Sequence, residues 1–178
     1  MSFNYASIGG LGGAENPGGI AQRLLFAPTS YFTTIEEPEN MSTATTAAEL
    51  TEVTANHVFV ATKFFHTLYC TQGKGKGSFK NAAEVDASGG FYEAEFFVPG
   101  VDAATQGLLR KMKADEHVFL LPMADGVNHQ MGTTNFPAKL MEYEFGTAEN
   151  GSGVRGTTIK LRSFQMGPIT YSGTAPTS

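Results

Sequence analysis

His57-Val58-Phe59-Val60-Ala61-Thr62-Lys63-Phe64-Phe65-His66-Thr67-Leu68-Tyr69-Cys70-Thr71 is the stretch that decides the fold class. One parity holds Val58, Val60, Phe64, Leu68 and Cys70, and the other holds Phe59, Ala61, Phe65 and Tyr69. Side chains of an extended chain alternate between faces, so the run predicts a strand that is apolar on both sides. Such a strand is expected inside a sheet covered on both faces, or where another subunit covers the outer one. Residues 91–98 carry the complementary signal. Tyr92, Ala94, Phe96 and Val98 oppose Phe91, Glu93, Glu95 and Phe97, the alternation of a half-buried strand.

Working outward, the glycine-rich turn at 73–77 leads to a weaker strand over 78–85, and a further turn precedes residue 91. Pro99-Gly100 ends the alternating strand. Asp102 then stands where an N-cap belongs, and 103–114 place Leu108, Leu109 and Met112 on one face, which predicts the one helix. Residues 118–123 and 127–131 flank Asp125-Gly126 as a hairpin, and 136–145 and 157–166 flank a glycine-rich loop as a longer one. Ile169-Thr170-Tyr171 makes a last short strand. Upstream, residues 20–27 and 30–35 read as strands broken by Pro28.

The fold class is therefore mainly β: a barrel or sandwich of about eight strands with one flanking α-helix, an extended N-terminal arm and a long loop. Residues 1–19 hold six glycines and form the arm, in which Phe3, Tyr5, Ile8 and Leu11 are spaced as a docking strand would need them. Residues 20–173 form a single domain. Within it, 36–56 is a long loop whose acidic start, Glu36, Glu37 and Glu39, has no neighbouring Lys or Arg; 174–178 is a short tail.

Composition narrows the function classes. The chain has 178 residues, 41% of them hydrophobic with 14 Phe, enough to bury a core without disulfides, and its single cysteine excludes an internal one. Twelve Lys and Arg against 17 Asp and Glu give a net charge of -5, which argues against specific duplex binding. No apolar run approaches the ~20 residues of a membrane helix, and the N-terminus lacks a signal-peptide pattern, so a soluble intracellular product without membrane partners is expected.

Catalytic chemistry finds no foothold. Gly73-Lys74-Gly75-Lys76-Gly77-Ser78 lacks the upstream glycine and the hydroxyl directly after lysine that a phosphate loop requires. His57, His66, His117 and His129 are too dispersed for a local metal site and read as core or interface histidines; Cys70 reads as a small buried hydrophobe. Asn150-Gly151-Ser152 is turn chemistry. No enzyme, cofactor or metal is expected.

Phe97-Val98-Pro99-Gly100, the single helix, Val118-Phe119-Leu120-Leu121, the Asp-Gly turn, Met131-Gly132-Thr133, Phe136-Pro137-Ala138, a glycine-rich hairpin, Ser163-Phe164, Pro168 and Tyr171-Ser172-Gly173 follow one another in a layout that resembles the tail tube subunits of tailed bacteriophages. The resemblance covers about residues 57–173. It implies a small β-barrel or sandwich with a flanking helix, self-assembly into hexameric rings, and stacking of the rings into a hollow tube. Phage DNA would pass through that tube non-specifically, and sheath or terminator proteins would be further partners in the virion. Phe59, Phe65 and Tyr69, with Phe3, Tyr5, Ile8 and Leu11 of the arm, are then candidate subunit contacts. Glu36, Glu37 and Glu39 are candidates for an acidic lumen or a bridging loop. Another virion component, such as a capsid-decorating or tail-completion protein, and a monomeric ligand-binding β-barrel are the alternatives.

Overall fold

The alternating segments become two packed sheets in the computed structural model, which describes residues 19–82, 84, 88–100, 102–147 and 153–177. Strands are β1 (Arg23–Pro28), β2 (Phe32–Thr34), β3 (Glu52–Val53), β4 (Val58–Phe59), β5 (His66–Tyr69), β6 (Lys76–Asn81) and β7 (Gly90–Pro99). Helix α1 (Ala103–Ala114) follows, then β8 (His117–Pro122), β9 (Asn128–Met131), β10 (Lys139–Gly146), β11 (Gly156–Gln165) and β12 (Ile169–Tyr171). A six-stranded sheet runs β3-β12-β9-β8-β1-β5, a four-stranded sheet runs β10-β11-β7-β6, and β2 pairs with β4 as a small ribbon. Neither large sheet closes on itself. The architecture is a sandwich with a flanking helix, not a closed barrel.

Between the two large sheets lies the main core. The inner face of β7, Tyr92, Ala94, Phe96 and Val98, meets Leu24 and Phe26 of β1, Phe119 and Leu121 of β8, and Ile159 and Leu161 of β11. The alternation read over 91–98 is the observed one. A second cluster covers the far face of the six-stranded sheet, where Leu25, Ala27, Val118 and Leu120 pack with Phe65, Val53 and Tyr171 beneath Phe32 and Phe59. Hence β1 and β8 sit in a middle layer, and their continuous apolar runs follow from burial on both faces.

Residues 57–71 do not form one strand. Lys63 N–H donates to the Val60 carbonyl at 3.0 Å and Thr62 takes a φ of 69°, so the chain bends and separates β4 from β5. Leu68 and Cys70 are thereby sent to the main core and Phe59 and Phe65 to the second cluster, while Val58, Val60 and Tyr69 stay exposed. The apolar alternation runs through two strands and the turn between them, which is why it reads as one strand.

Helix α1 starts where capping chemistry requires. Asp102 accepts from Thr105 N–H at 2.9 Å and from the Thr105 hydroxyl at 2.8 Å, which satisfies a backbone donor left over by the first turn. Leu109 and Met112 turn into the core, while Gln106 donates to the Thr157 hydroxyl at 2.8 Å and ties the helix to β11. The loop from β2 to β4 is stitched down: Glu39 N–H bonds the Glu49 carbonyl at 2.9 Å, Ala44 is buried, and β3 adds a parallel strand beside β12. Gly90 is required by contact, since a Cβ there would stand 2.1 Å from the Lys80 carbonyl oxygen of the paired strand. Among the described residues, no helix is long and apolar enough to cross a membrane.

Candidate functional site

The four-stranded sheet turns one face to the core and leaves the other open. Every neighbouring pair in it is antiparallel, so its strands alternate in direction from β10 to β6. Both outer strands have a free side among the described residues. On the open face the register aligns charges in rows across the sheet. Lys76, Glu95, Lys160 and Glu142 lie opposite one another on β6, β7, β11 and β10. Lys76 meets Glu95 at 3.4 Å and Lys160 meets Glu142 at 2.8 Å. The hydrogen bond and charge of Glu142 push the Lys160 ammonium above its usual range. In the next row Arg162 meets Glu93 at 3.0 Å and lies 4.0 Å over the Phe91 ring. The Lys74 ammonium stands 4.8 Å over Phe97. A β-bulge between Leu140 and Glu142 interrupts β10, and there the Lys113 ammonium donates to the Met141 carbonyl, so the uncovered part of this edge runs from Glu142 to Gly146.

The residues singled out in the sequence are not brought together. Phe3, Tyr5, Ile8 and Leu11 lie outside the described residues, as does Asn150-Gly151-Ser152. Phe65 is 0% exposed and belongs to the second cluster, which corrects its reading as a subunit contact: the ribbon β2–β4 already covers it. Phe59 packs on the same cluster, 4.5 Å from Phe32 and 5.2 Å from Phe65. Tyr69 is 55% exposed and borders an open cleft of ≈ 720 Å³ with Ile20, Gln22 and Gly73.

Glu36, Glu37 and Glu39 sit beside the six-stranded sheet, away from the open charged face. Glu36 N–H donates to His57 Nδ1 at 3.0 Å, and its carbonyl accepts from Gln130 at 3.2 Å. Glu37 accepts from Thr134 N–H at 2.6 Å, and Glu39 accepts from the Thr43 hydroxyl at 2.5 Å. The Glu36 backbone and the Glu37 carboxylate fasten the loop to the body, and the Glu39 carboxylate folds it on itself.

His57 stacks on Tyr171 at 4.5 Å with an angle of 4° between the rings, and burial pushes its imidazole down to about 4. Burial also lowers His117 and His129; the latter stands 3.2 Å from the Tyr92 hydroxyl. Burial pushes the Cys70 thiol up to about 12 and keeps it protonated. Among the described residues no three His, Cys, Asp or Glu side chains gather as metal ligands would. Among the described residues, the pair of sheet edges and the charged face between them form an extended surface open to molecular contact. No protein-family model, curated protein or solved structure matches the chain.

Sequence reasoning reads strands over 78–85 and 136–145 but not that β6 and β10 are the edges of one sheet. The signal was present in Lys76 and Lys80 on one strand, with Lys74 in the turn before it, and in Glu142 and Glu144 on the other, all at even positions. Without the topology, nothing marked these two segments as the ends of one sheet.

Proposed function

We propose that the chain is a structural, self-assembling protein of a phage virion, whose copies join sheet edges into hexameric rings that stack as a tail tube for DNA. The observation that carries this reading is the four-stranded antiparallel sheet whose two outer strands pair with no further strand among the described residues. An even number of alternating strands places β6 of one copy antiparallel to β10 of the next when copies are related by rotation about a common axis. Every junction of such a ring repeats the same favourable ladder, and closure removes the edges.

The resemblance in the second half of the chain points the same way. In such a ring the open face of the sheet would border the channel. Three of its cations, Lys76, Lys160 and Arg162, already stand against carboxylates, so passing phosphates would find fewer free ones on which to release counterions. The loop bearing Glu36, Glu37 and Glu39 would then lie away from the channel, where sheath or stacking contacts are made. Electron microscopy and sedimentation of the purified chain test the proposal. Rings or tubes of uniform width are expected. A strict monomer at high concentration would remove it, and rings that never grow axially would favour a decorating or completion protein instead.

A further inference from the structure

The two free edges of the four-stranded sheet carry opposite charge, and this bears on which edge joins which. On the open face, β6 and the turn before it present Lys74, Lys76 and Lys80, whereas the uncovered part of β10 presents Glu142 and Glu144. All five side chains belong to exposed residues. Across the sheet the central row reads Lys, Glu, Lys, Glu from β6 to β10. The alternation has the period of the sheet itself, so a further copy added at either edge continues it in phase.

We infer that these edge charges set the polarity of self-association, selecting head-to-tail pairing of β6 with β10 of a second copy over two-fold pairing of like edges. The inference rests on the proposed ring-forming role and adds the residues that direct it. The alternatives differ in their cross-strand neighbours. A two-fold β6 pair centred on Ser78 sets Lys76 against Lys80, and a two-fold β10 pair centred on Tyr143 sets Glu142 against Glu144. Like charges directly opposite in a sheet are unfavourable, and opposite charges are favourable. Head-to-tail pairing sets Lys76 opposite Glu142 with Lys74 opposite Glu144. Shifted by one pleat it sets Lys76 opposite Glu144 with Ser78 opposite Glu142. Both registers keep the charged face on one side and match lysine with glutamate. Two-fold dimers are the commonest homo-oligomers, so a sheet with two antiparallel-competent edges needs a device against them, and repulsion of like edges supplies it.

Two variants of the full chain test the assignment. Lys74→Glu with Lys76→Glu makes both edges acidic, and Glu142→Lys with Glu144→Lys makes both basic. Each alone is expected to lose the high-mass species that the wild-type chain forms. Mixed in equal amounts, acidic and basic edges alternate around the ring, and the high-mass species is expected to return. A single chain carrying all four changes is expected to assemble again. Variants that assemble alone as the wild type does, or folded variants that stay apart when mixed, overturn the assignment and leave the ring reading standing. A wild-type chain that never assembles removes the ring reading itself. Should a double variant fail to fold, Lys74→Glu and Glu144→Lys repeat the experiment, since neither residue makes an ion pair among the described residues.

Discussion

Replacing Phe65 with alanine separates a core residue from an interface residue. The ring is 0% exposed and stands edge-on to Phe59 at 5.2 Å, to Phe32 at 5.6 Å and to His57 at 6.0 Å. Its backbone N–H is bound to the Pro176 carbonyl at 3.0 Å, so the main chain cannot easily follow a collapsing side chain and the cavity stays open. Phe→Ala changes at such sites cost about 3–5 kcal/mol. For a chain of this length each kcal/mol lowers the melting temperature by roughly 2–4 °C, so a fall of about 6–20 °C is expected. Tyr69→Ala, at a residue 55% exposed, is expected to stay within about 2 °C of the wild type. Thermal unfolding followed by far-ultraviolet circular dichroism over a dilution series supplies the readout. A core loss is the same at every dilution, whereas an interface loss shrinks as the protein dissociates. A Phe65→Ala chain that melts with the wild type yet no longer assembles would refute the placement of this ring inside the molecule.

Three further perturbations probe other parts of the fold. Asp102→Ala removes both bonds to Thr105 and is expected to lower the melting temperature by roughly 2–4 °C; an unchanged melt denies the cap its role. His57 is held near 4 in the fold against ~6.5 in the unfolded chain, so between these values the unfolded state binds the extra proton. Stability is therefore expected to decline as pH falls from about 6.5 and to level off below about 4, losing roughly 3 kcal/mol through this group, with His117 and His129 adding in the same direction. Urea titrations of wild type and His57→Phe across that window check it, and equal slopes for the two chains would count against the buried imidazole. Gly90→Ala forces a methyl against the Lys80 carbonyl and is expected to cost about 1–3 kcal/mol while loosening β6 from β7; unchanged amide-exchange protection of β6 would contradict that.

Local chemistry was legible where it was self-contained. The helix could be read from Asp102 and the spacing of Leu109 and Met112, because a cap and a face are properties of a short window. The alternation of β7 was legible because its two faces meet such different surroundings, core on one side and water with ion pairs on the other. Residues 57–71 misled because β4 and β5 are both rich in apolar groups and the bend between them rests on Thr62, which carries no glycine or proline to announce it. Likewise, the doubly buried strands proved to be β1 and β8, whose middle position follows from sheet order, a non-local property. The charged edges escaped for the same reason: lysines on β6 and glutamates on β10 acquire meaning only when β7 and β11 are known to lie between them.

How the chain treats its several edges is the strongest argument that two of them are meant for use. At one end of the six-stranded sheet β3 is only two residues long, a length that offers little template for another strand. At the other end β5 is guarded by the chain itself, for Phe65 pairs with Thr177 in a parallel bridge and Thr71 N–H reaches the Phe97 carbonyl at 2.9 Å. The four-stranded sheet is treated differently. Its outer strands span six and eight residues, and among the described residues the cover on β10 lies at its start, where Lys139 pairs with Glu116 and the Lys113 ammonium donates to the Met141 carbonyl. Lysines and a bulge on an edge ordinarily discourage pairing, and here they do so selectively. Lysine on β6 repels a second β6 but attracts the glutamates of β10, and the bulge closes one part of β10 while leaving the glutamate-bearing part open. In the proposed ring, protection against indiscriminate aggregation and specification of one partner would thus fall to the same set of residues.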